Sequence, residues 1–296
     1  MRALAVAAGE DAGEAGPADY TPPDTVAAVH ALFRRMTVPV RVNGQGPFPF
    51  VVDTGANRSV ITRELVVQLG LPIGETVTVD GVAGAHAAGT TRASLEVGGR
   101  PRAPAPLLVL RQDDIGAAGL LGLDHVDGHA VTLDFQHQVL RVESSRRPAF
   151  DPDAVSLPAH RWAGQLILVD ASLDGRTVTA FIDTGSDSTI GNLVLKAKAE
   201  AQAGERASQF TPILSATGQT IEGEIAQLPR LRLGRVTIST WPVTFADLYT
   251  FRLWRLVNRP AILLGADVLS RFDYVCLDFA RNAVRVRLPR SRRDRG

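Results

Sequence analysis

Residues Phe48–Asn57 read FPFVVDTGAN, an apolar run that ends in Asp53-Thr54-Gly55. The design returns at Val178–Asp187, VTAFIDTGSD, where Phe181-Ile182 leads into Asp183-Thr184-Gly185. A given tripeptide of common residues arises by chance at roughly one in several thousand positions. Two copies, each after an apolar strand and at an offset of 130, indicate an internal repeat that brings two carboxylates together.

Further markers extend the repeat. Gly119-Leu120-Leu121-Gly122 matches Ile262-Leu263-Leu264-Gly265 at an offset of 143. Leu133-Asp134-Phe135 matches Leu277-Asp278-Phe279 at an offset of 144. Both later offsets exceed that of the DTG turns by nearly the same amount, so one shared insertion in the second half accounts for them. Its expected place is Asp247–Arg259, DLYTFRLWRLVNR, which has no evident counterpart in the first half.

The elements around the markers are mostly short strands. Thr37–Val42 alternates in polarity and, through the Asn43-Gly44 turn signal, should pair with Phe48–Val52. Asp53 then lies in a turn at a strand end, where Gly55 permits a backbone that a side chain would obstruct. The same reading holds for Gln165–Ser172, the Asp174-Gly175 turn and Thr177–Ile182. Short helices are expected at Thr62–Leu69 and, capped by Asn192, at Leu193–Ala203. Glycine-rich excursions occupy Val79–Gly89 and Ser215–Gly223. Each half ends in a hairpin, Ala130–Phe135 with Val139–Val142 and Val275–Phe279 with Val284–Leu288. The domains expected are 37–143 and 161–290, joined by the proline-containing linker 144–160. Residues 1–36 form a leader, with a short helix from Asp24 to Met36, and 291–296 a basic tail.

Composition narrows the function classes. A chain of 296 residues with 45% hydrophobic and 21% charged residues fits a globular protein. A net charge of +1 supplies no field for nucleic acid, and no apolar run reaches the roughly 18 residues of a membrane span. Cys276 is the single cysteine, so an intramolecular disulfide is excluded. Arg2 followed by Ala3–Ala8 looks like a clipped signal peptide, which would place the protein in the periplasm or outside the cell. A disordered leader, with a cytoplasmic protein, and a start codon further upstream are the open alternatives.

With these residues in hand the chain resembles the retropepsin-like aspartic peptidases, in the bacterial form that carries two tandem DTG halves. RVNGQGPFPFVVDTGANRSVIT and the LLG segments carry the resemblance, over roughly residues 37–290. It implies an all-β, bilobal aspartic-protease barrel fold of two halves related by a pseudo-twofold axis. It also implies an endopeptidase acting on polypeptide, with Asp53 and Asp183 catalytic and no cofactor or metal. Thr54 and Thr184 should bond across the two loops, and Gly55 and Gly185 should allow the loops to approach. Gly122 and Gly265 should lie under the loops, and Gly81, Gly84, Thr217 and Gly218 in flaps, without the flap tyrosine of pepsin lobes. With both turns in one chain, the expected active form is a monomer. The alternative is a catalytically silent peptide-binding module on the same fold.

Ala56 and Ser186 follow the two turns and differ. A hydroxyl at Ser186 donating to Asp183 would favour its ionised form, leaving the proton on Asp53. The missing hydroxyl beside Asp53 should also carry activity toward neutral pH. His125, His129 and His137 lack metal-ligand spacing and read as surface histidines. Cys276 reads as a small buried apolar residue. The 247–259 insertion should pack on the core or line one end of the groove.

Overall fold

The computed structural model describes residues 25–27, 29–30, 35–126, 128–145, 151–162, 164–168, 170–203 and 209–289. The first part of the expected leader, 1–24, and the basic tail 291–296 lie outside them. Among the described residues no helix is long and apolar enough to cross a membrane.

Among the described residues most strands of the first half form a ten-stranded sheet that includes the hairpin of Met36–Val42 and Gln45–Val52. Asn43 and Gly44 both take positive φ, the twist that a two-residue hairpin turn requires. The second half repeats the turn at Asp174 and Gly175. Alternation along the aspartate-bearing strand sends Phe50 and Val52 into the main core and Val51 to the opposite face. Gly119–Leu121 lies parallel to this strand, with Val51 opposite Leu120. Thr179–Ile182 and Ala261–Leu264 form the matching parallel pair, with Phe181 opposite Leu263. The short helices follow their caps. Thr62 Oγ1 accepts from Leu65 N ahead of Arg63–Gln68, and Asn192 Oδ1 accepts from Leu195 N at 2.9 Å ahead of Leu193–Ala203.

Strands of both halves meet in one sheet. His129–Asp134 runs antiparallel to Tyr274–Asp278, with Thr132 opposite Cys276. These two positions stand at the same offset as the LDF markers, so each is the other's repeat equivalent. The pseudo-twofold axis therefore passes between them. Cys276 is half-buried there, and burial pushes its thiol up from the ordinary value.

Four expectations are corrected. The helix expected over Asp24–Met36 is not formed: Thr25–Ala27 pairs with Val139–Arg141, and Val29–His30 pairs with Met36–Thr37. The β-branched residues there find strand partners that no local pattern displays. The linker 144–160 is not irregular throughout. Ala154–Trp162 is a strand joining Ala283–Arg287 to Gln165–Leu168. The insertion is split rather than single. Val60 faces Leu108 in the first half and Ile190 faces Thr244 in the second, so the offset has already grown from 130 to 136 by Thr244. The rest of the growth falls between Phe245 and Ala261, where the helix Tyr249–Leu253 has a counterpart in Gln112–Ile115. Finally, His125 is not on the surface but 7% exposed.

Because strands of the two halves share one sheet, the halves should unfold together. Leu277→Ala empties a fully buried position in that sheet and should cost about 2–5 kcal/mol. Trp162, Trp241 and Trp254 all lie in the second half. In urea, their fluorescence should therefore follow the same transition as circular dichroism of the whole chain, shifted to lower urea in the variant. Two separated transitions would contradict the shared sheet.

Candidate active site

The two DTG turns interlock. Thr54 Oγ1 donates to Ile182 O at 3.0 Å, and Thr184 Oγ1 donates to Val52 O at 2.7 Å. In return Thr54 N donates to Thr184 Oγ1 at 3.0 Å, and Thr184 N donates to Thr54 Oγ1 at 3.2 Å. Each hydroxyl thus accepts from one backbone group of the opposite loop and donates to another. Both threonines are almost fully buried. Threonine suits this task because it carries donor and acceptor on a short, stiff stem.

The interlock brings each glycine against the other loop's carboxyl. A Cβ on Gly55 would lie 2.7 Å from Asp183 Oδ1, and one on Gly185 would fall closer still to the Asp53 carboxyl. A side chain at either position would displace the opposing aspartate. Asp53 Oδ1 accepts from Gly55 N at 2.9 Å and Ala56 N at 3.0 Å, and Asp183 Oδ1 accepts from Gly185 N at 3.0 Å.

Burial pushes both carboxyls up. Asp183 is raised further by the Asp53 charge, to about 7, with the N–H groups of Gly185 and Ser186 and the Arg35 charge opposing. Two like charges held together cannot both persist at low dielectric, so the pair retains a proton. The hydroxyl support that the sequence reading expected for an ionised Asp183 is not formed. The Ser186 hydroxyl donates to Ser188 O at 2.7 Å rather than to Asp183. Asp53 is the better supplied with short backbone N–H bonds, which favours Asp53 as the ionised member and Asp183 as the protonated one.

The turns rest on matching braces. Asp53 N donates to Leu121 O and Asp183 N to Leu264 O. A Cβ on Gly122 would strike the Arg58 carbonyl carbon at 2.7 Å, and one on Gly265 the Ser188 carbonyl carbon at 2.5 Å. Both expected glycines thus lie under the loops. Their N–H groups donate to Ser59 Oγ and Thr189 Oγ1, which in turn bond Asp124 and Asp267. Burial would raise the Asp124 carboxyl, but bonds from His125 and Ser59 outweigh it and hold it below the usual carboxylate value. His125 Nδ1 lies 2.8 Å from Ser59 Oγ and 3.1 Å from Asp124 Oδ1. One ring nitrogen serves both neighbours and Ser59 is fully buried, so the cluster is a brace rather than a nucleophile with its base.

A charged contact near the dyad has no signature in the sequence. Arg35 Nε lies 3.3 Å from Asp187 Oδ1, Nη2 donates to Ile115 O at 2.9 Å, and Nη1 donates to Gly185 O at 3.5 Å. Its charge lowers both aspartates. At the offset of the DTG turns, the repeat equivalent of Arg35 is Gln165. Gln165 Nε2 donates to Gly55 O at 3.1 Å and lies 3.4 Å from Asn57 Oδ1. Asn57 is likewise the repeat equivalent of Asp187. The same backbone location is ionic on one side and neutral on the other. Only the DTG offset would have paired Arg35 with Gln165, because neither residue type nor flanking sequence repeats.

The flap candidates come from two hairpins, Thr76–Gly81 with Gly84–Ala93 and Gln209–Leu214 with Thr220–Leu233. Their tips meet, since a Cβ on Gly81 would lie 3.1 Å from Thr217 Oγ1. Gly84 and Gly218 both take positive φ in the tips, and Gly218 lies against the Asp114 carboxylate. Each tip crosses to the other half. Val82 packs on the cluster around Phe181 and Leu263, and Ala216 on that around Val51 and Leu120.

Thr184→Val keeps the shape but leaves Thr54 N and Val52 O without this partner in a buried place. It should cost about 2–4 kcal/mol, whereas Thr184→Ser should cost less than half of that. Urea unfolding midpoints check both.

A model of the aspartyl protease family matches residues 38–125 and 169–268. Each matched segment holds one DTG turn and one of the glycines beneath it. No curated protein matches the chain. With well over half of its length in the match and both turns interlocked, the chain belongs to the aspartyl protease family, in a two-half form of retropepsin type.

Proposed function

We propose that the protein is an aspartic endopeptidase whose two halves form one cleft within a single chain. The observation that carries the reading is the reciprocal threonine bonding, which holds two half-buried carboxyls against each other's loops. Ionised Asp53 serves as general base for a water between the carboxyls. Protonated Asp183 donates to the scissile carbonyl oxygen as charge develops on it. Two carboxylates that share one proton divide acid and base in this way throughout the aspartic proteases. The Arg35 charge supports the ionised state without touching the water, because its donors are directed to Asp187, Ile115 and Gly185. The flap tips, made of small residues, would close over an extended polypeptide. The apolar clusters on either side favour apolar side chains next to the cleaved bond. One chain supplies both aspartates, so a monomer suffices. A periplasmic or secreted location is part of the proposal through the Arg2–Ala8 stretch alone.

Cleavage of a reduced, unfolded protein tests this. Asp53→Asn should lower the rate by roughly 10²–10⁴-fold or more with binding of an uncleaved peptide retained. Equal inertness of wild type and variant, with peptide still bound, would make the protein a silent peptide-binding module instead.

The pH dependence follows from the Asp183 shift. Its proton is required and is lost as pH rises through about 7. The rate should therefore fall above about pH 7 and persist well above the strongly acidic range. The same shift opposes folding. The unfolded carboxyl ionises near 3.8 and the folded one near 7, so the folded state binds more protons between those values and stability declines as pH rises across them. Asp183→Asn removes this penalty. At pH 7.5 the inactive variant should be more stable than wild type by about 2–4 kcal/mol, with the difference vanishing below pH 4. A variant no more stable at pH 7.5 would contradict the raised Asp183.

A further inference from the structure

The segment between Phe245 and Ala261, enlarged in the second half, does more than fill space. Phe251 and Leu256 are buried in the cluster that contains Phe181. Trp254 stacks on Phe181 with ring centroids 4.4 Å apart. Phe181 lies two residues before Asp183 and so shares the aspartate's face of its strand. Asn192 Nδ2 donates to Leu256 O at 3.0 Å and to Arg259 O at 2.6 Å, so the segment is fixed at its far end as well. From this rigid base, Tyr249 N donates to Val82 O, at the tip of the first flap, at 2.8 Å. Val82 itself packs on the same cluster.

The first half uses the equivalent group otherwise. Tyr249 is the first residue of the helix Tyr249–Leu253, and Gln112 is the first residue of its counterpart Gln112–Ile115. Gln112 N donates to Glu64 Oε2 at 3.0 Å. That N–H is thus bonded within its own half, away from the second flap.

We propose that Tyr249, through its backbone N–H, is a positioning residue for the first flap. It clasps the Val82 tip onto the second half's floor, and admission of a polypeptide under that flap requires breaking the clasp. The first flap is therefore held by a backbone bond from the facing half's helix, whereas the second meets the counterpart helix where Gly218 lies against the Asp114 carboxylate, and the cleft closes asymmetrically although its catalytic turns are nearly symmetric. Its consequence for catalysis rests on the peptidase reading, but its primary readout does not.

The helix geometry allows a clean removal of the donor. Proline is favoured at the first position of a helix, where the N–H has no partner inside the helix. Leu248 has φ −69° and ψ 137°, the extended conformation that a residue before proline adopts. Tyr249→Pro therefore deletes one hydrogen bond, and Tyr249→Ala deletes the side chain while keeping the N–H. In hydrogen–deuterium exchange of the full chain, Tyr249→Pro should speed exchange of amides in 79–86 by roughly three- to tenfold. Exchange in 213–221 should stay within about twofold of wild type, and Tyr249→Ala should stay within about twofold throughout. With a peptide substrate, Tyr249→Pro removes the bond that admission must break, so it should lower KM by a similar roughly three- to tenfold factor and leave kcat within about twofold. Unchanged exchange in 79–86 in a folded Tyr249→Pro protein would overturn the proposal, as would equal loosening by Tyr249→Ala. If Tyr249→Pro does not fold, the Tyr249 amide of the wild type decides: an N–H at the first helical position has no partner inside the helix, so slowed exchange there supports the clasp and exchange at the free-peptide rate refutes it. An inactive wild type with the predicted exchange pattern would sink the peptidase reading and leave the clasp standing.

Discussion

Everything near the cleft follows from one constraint, that two half-buried carboxyl groups are held side by side. Such an arrangement is unfavourable for both, since each desolvates and repels the other. It persists because the backbone around it is over-determined. Hydrogen bonds from both threonine hydroxyls and both threonine N–H groups cross between the Thr54 and Thr184 turns. The glycines of those turns have no room for a Cβ, and the glycines beneath them are locked by Ser59 and Thr189. Strands of the two halves share one sheet, with its pseudo-twofold axis between Thr132 and Cys276. Together these keep the turns from separating and relieving the repulsion.

The symmetry stops at the backbone. Arg35 faces Asp187 on one side where Gln165 faces Asn57 on the other. Phe181 stands where the first half has Val51, and a longer segment caps it with aromatic rings. A homodimer would have to repeat every such choice on both sides. One chain with two halves is free to give each aspartate its own environment, and acid–base catalysis benefits when two carboxyls have different proton affinities.

Much of this is legible in the sequence. The DTG, LLG and LDF markers report the duplication, but the parallel pairs beside each aspartate and the pairing of the two LDF strands at the axis show only in the structure. Threonine and glycine roles follow from the resemblance those markers support. What stays hidden depends on partners distant in sequence. Thr25–Ala27 is a strand because Val139–Arg141 is there to pair with it. A single insertion at 247–259 is the natural reading of the markers, yet no motif repeats near Leu108 and Thr244, so their intermediate offset shows only in the strand register. Ser186 stands well placed in sequence to serve Asp183, but Ser188 O lies closer to hand within the same turn. His125 carries no sequence sign that Ser59 and Asp124 enclose it.

The central claim is that one proton is shared by a half-buried pair and resides on Asp183. Neutron diffraction from crystals grown near pH 5.5 reads this most directly. The expected result is a pair of facing carboxyls within hydrogen-bonding reach of a common water, with a single deuteron on Asp183. A deuteron on Asp53 alone, or two bare carboxylates, would contradict it.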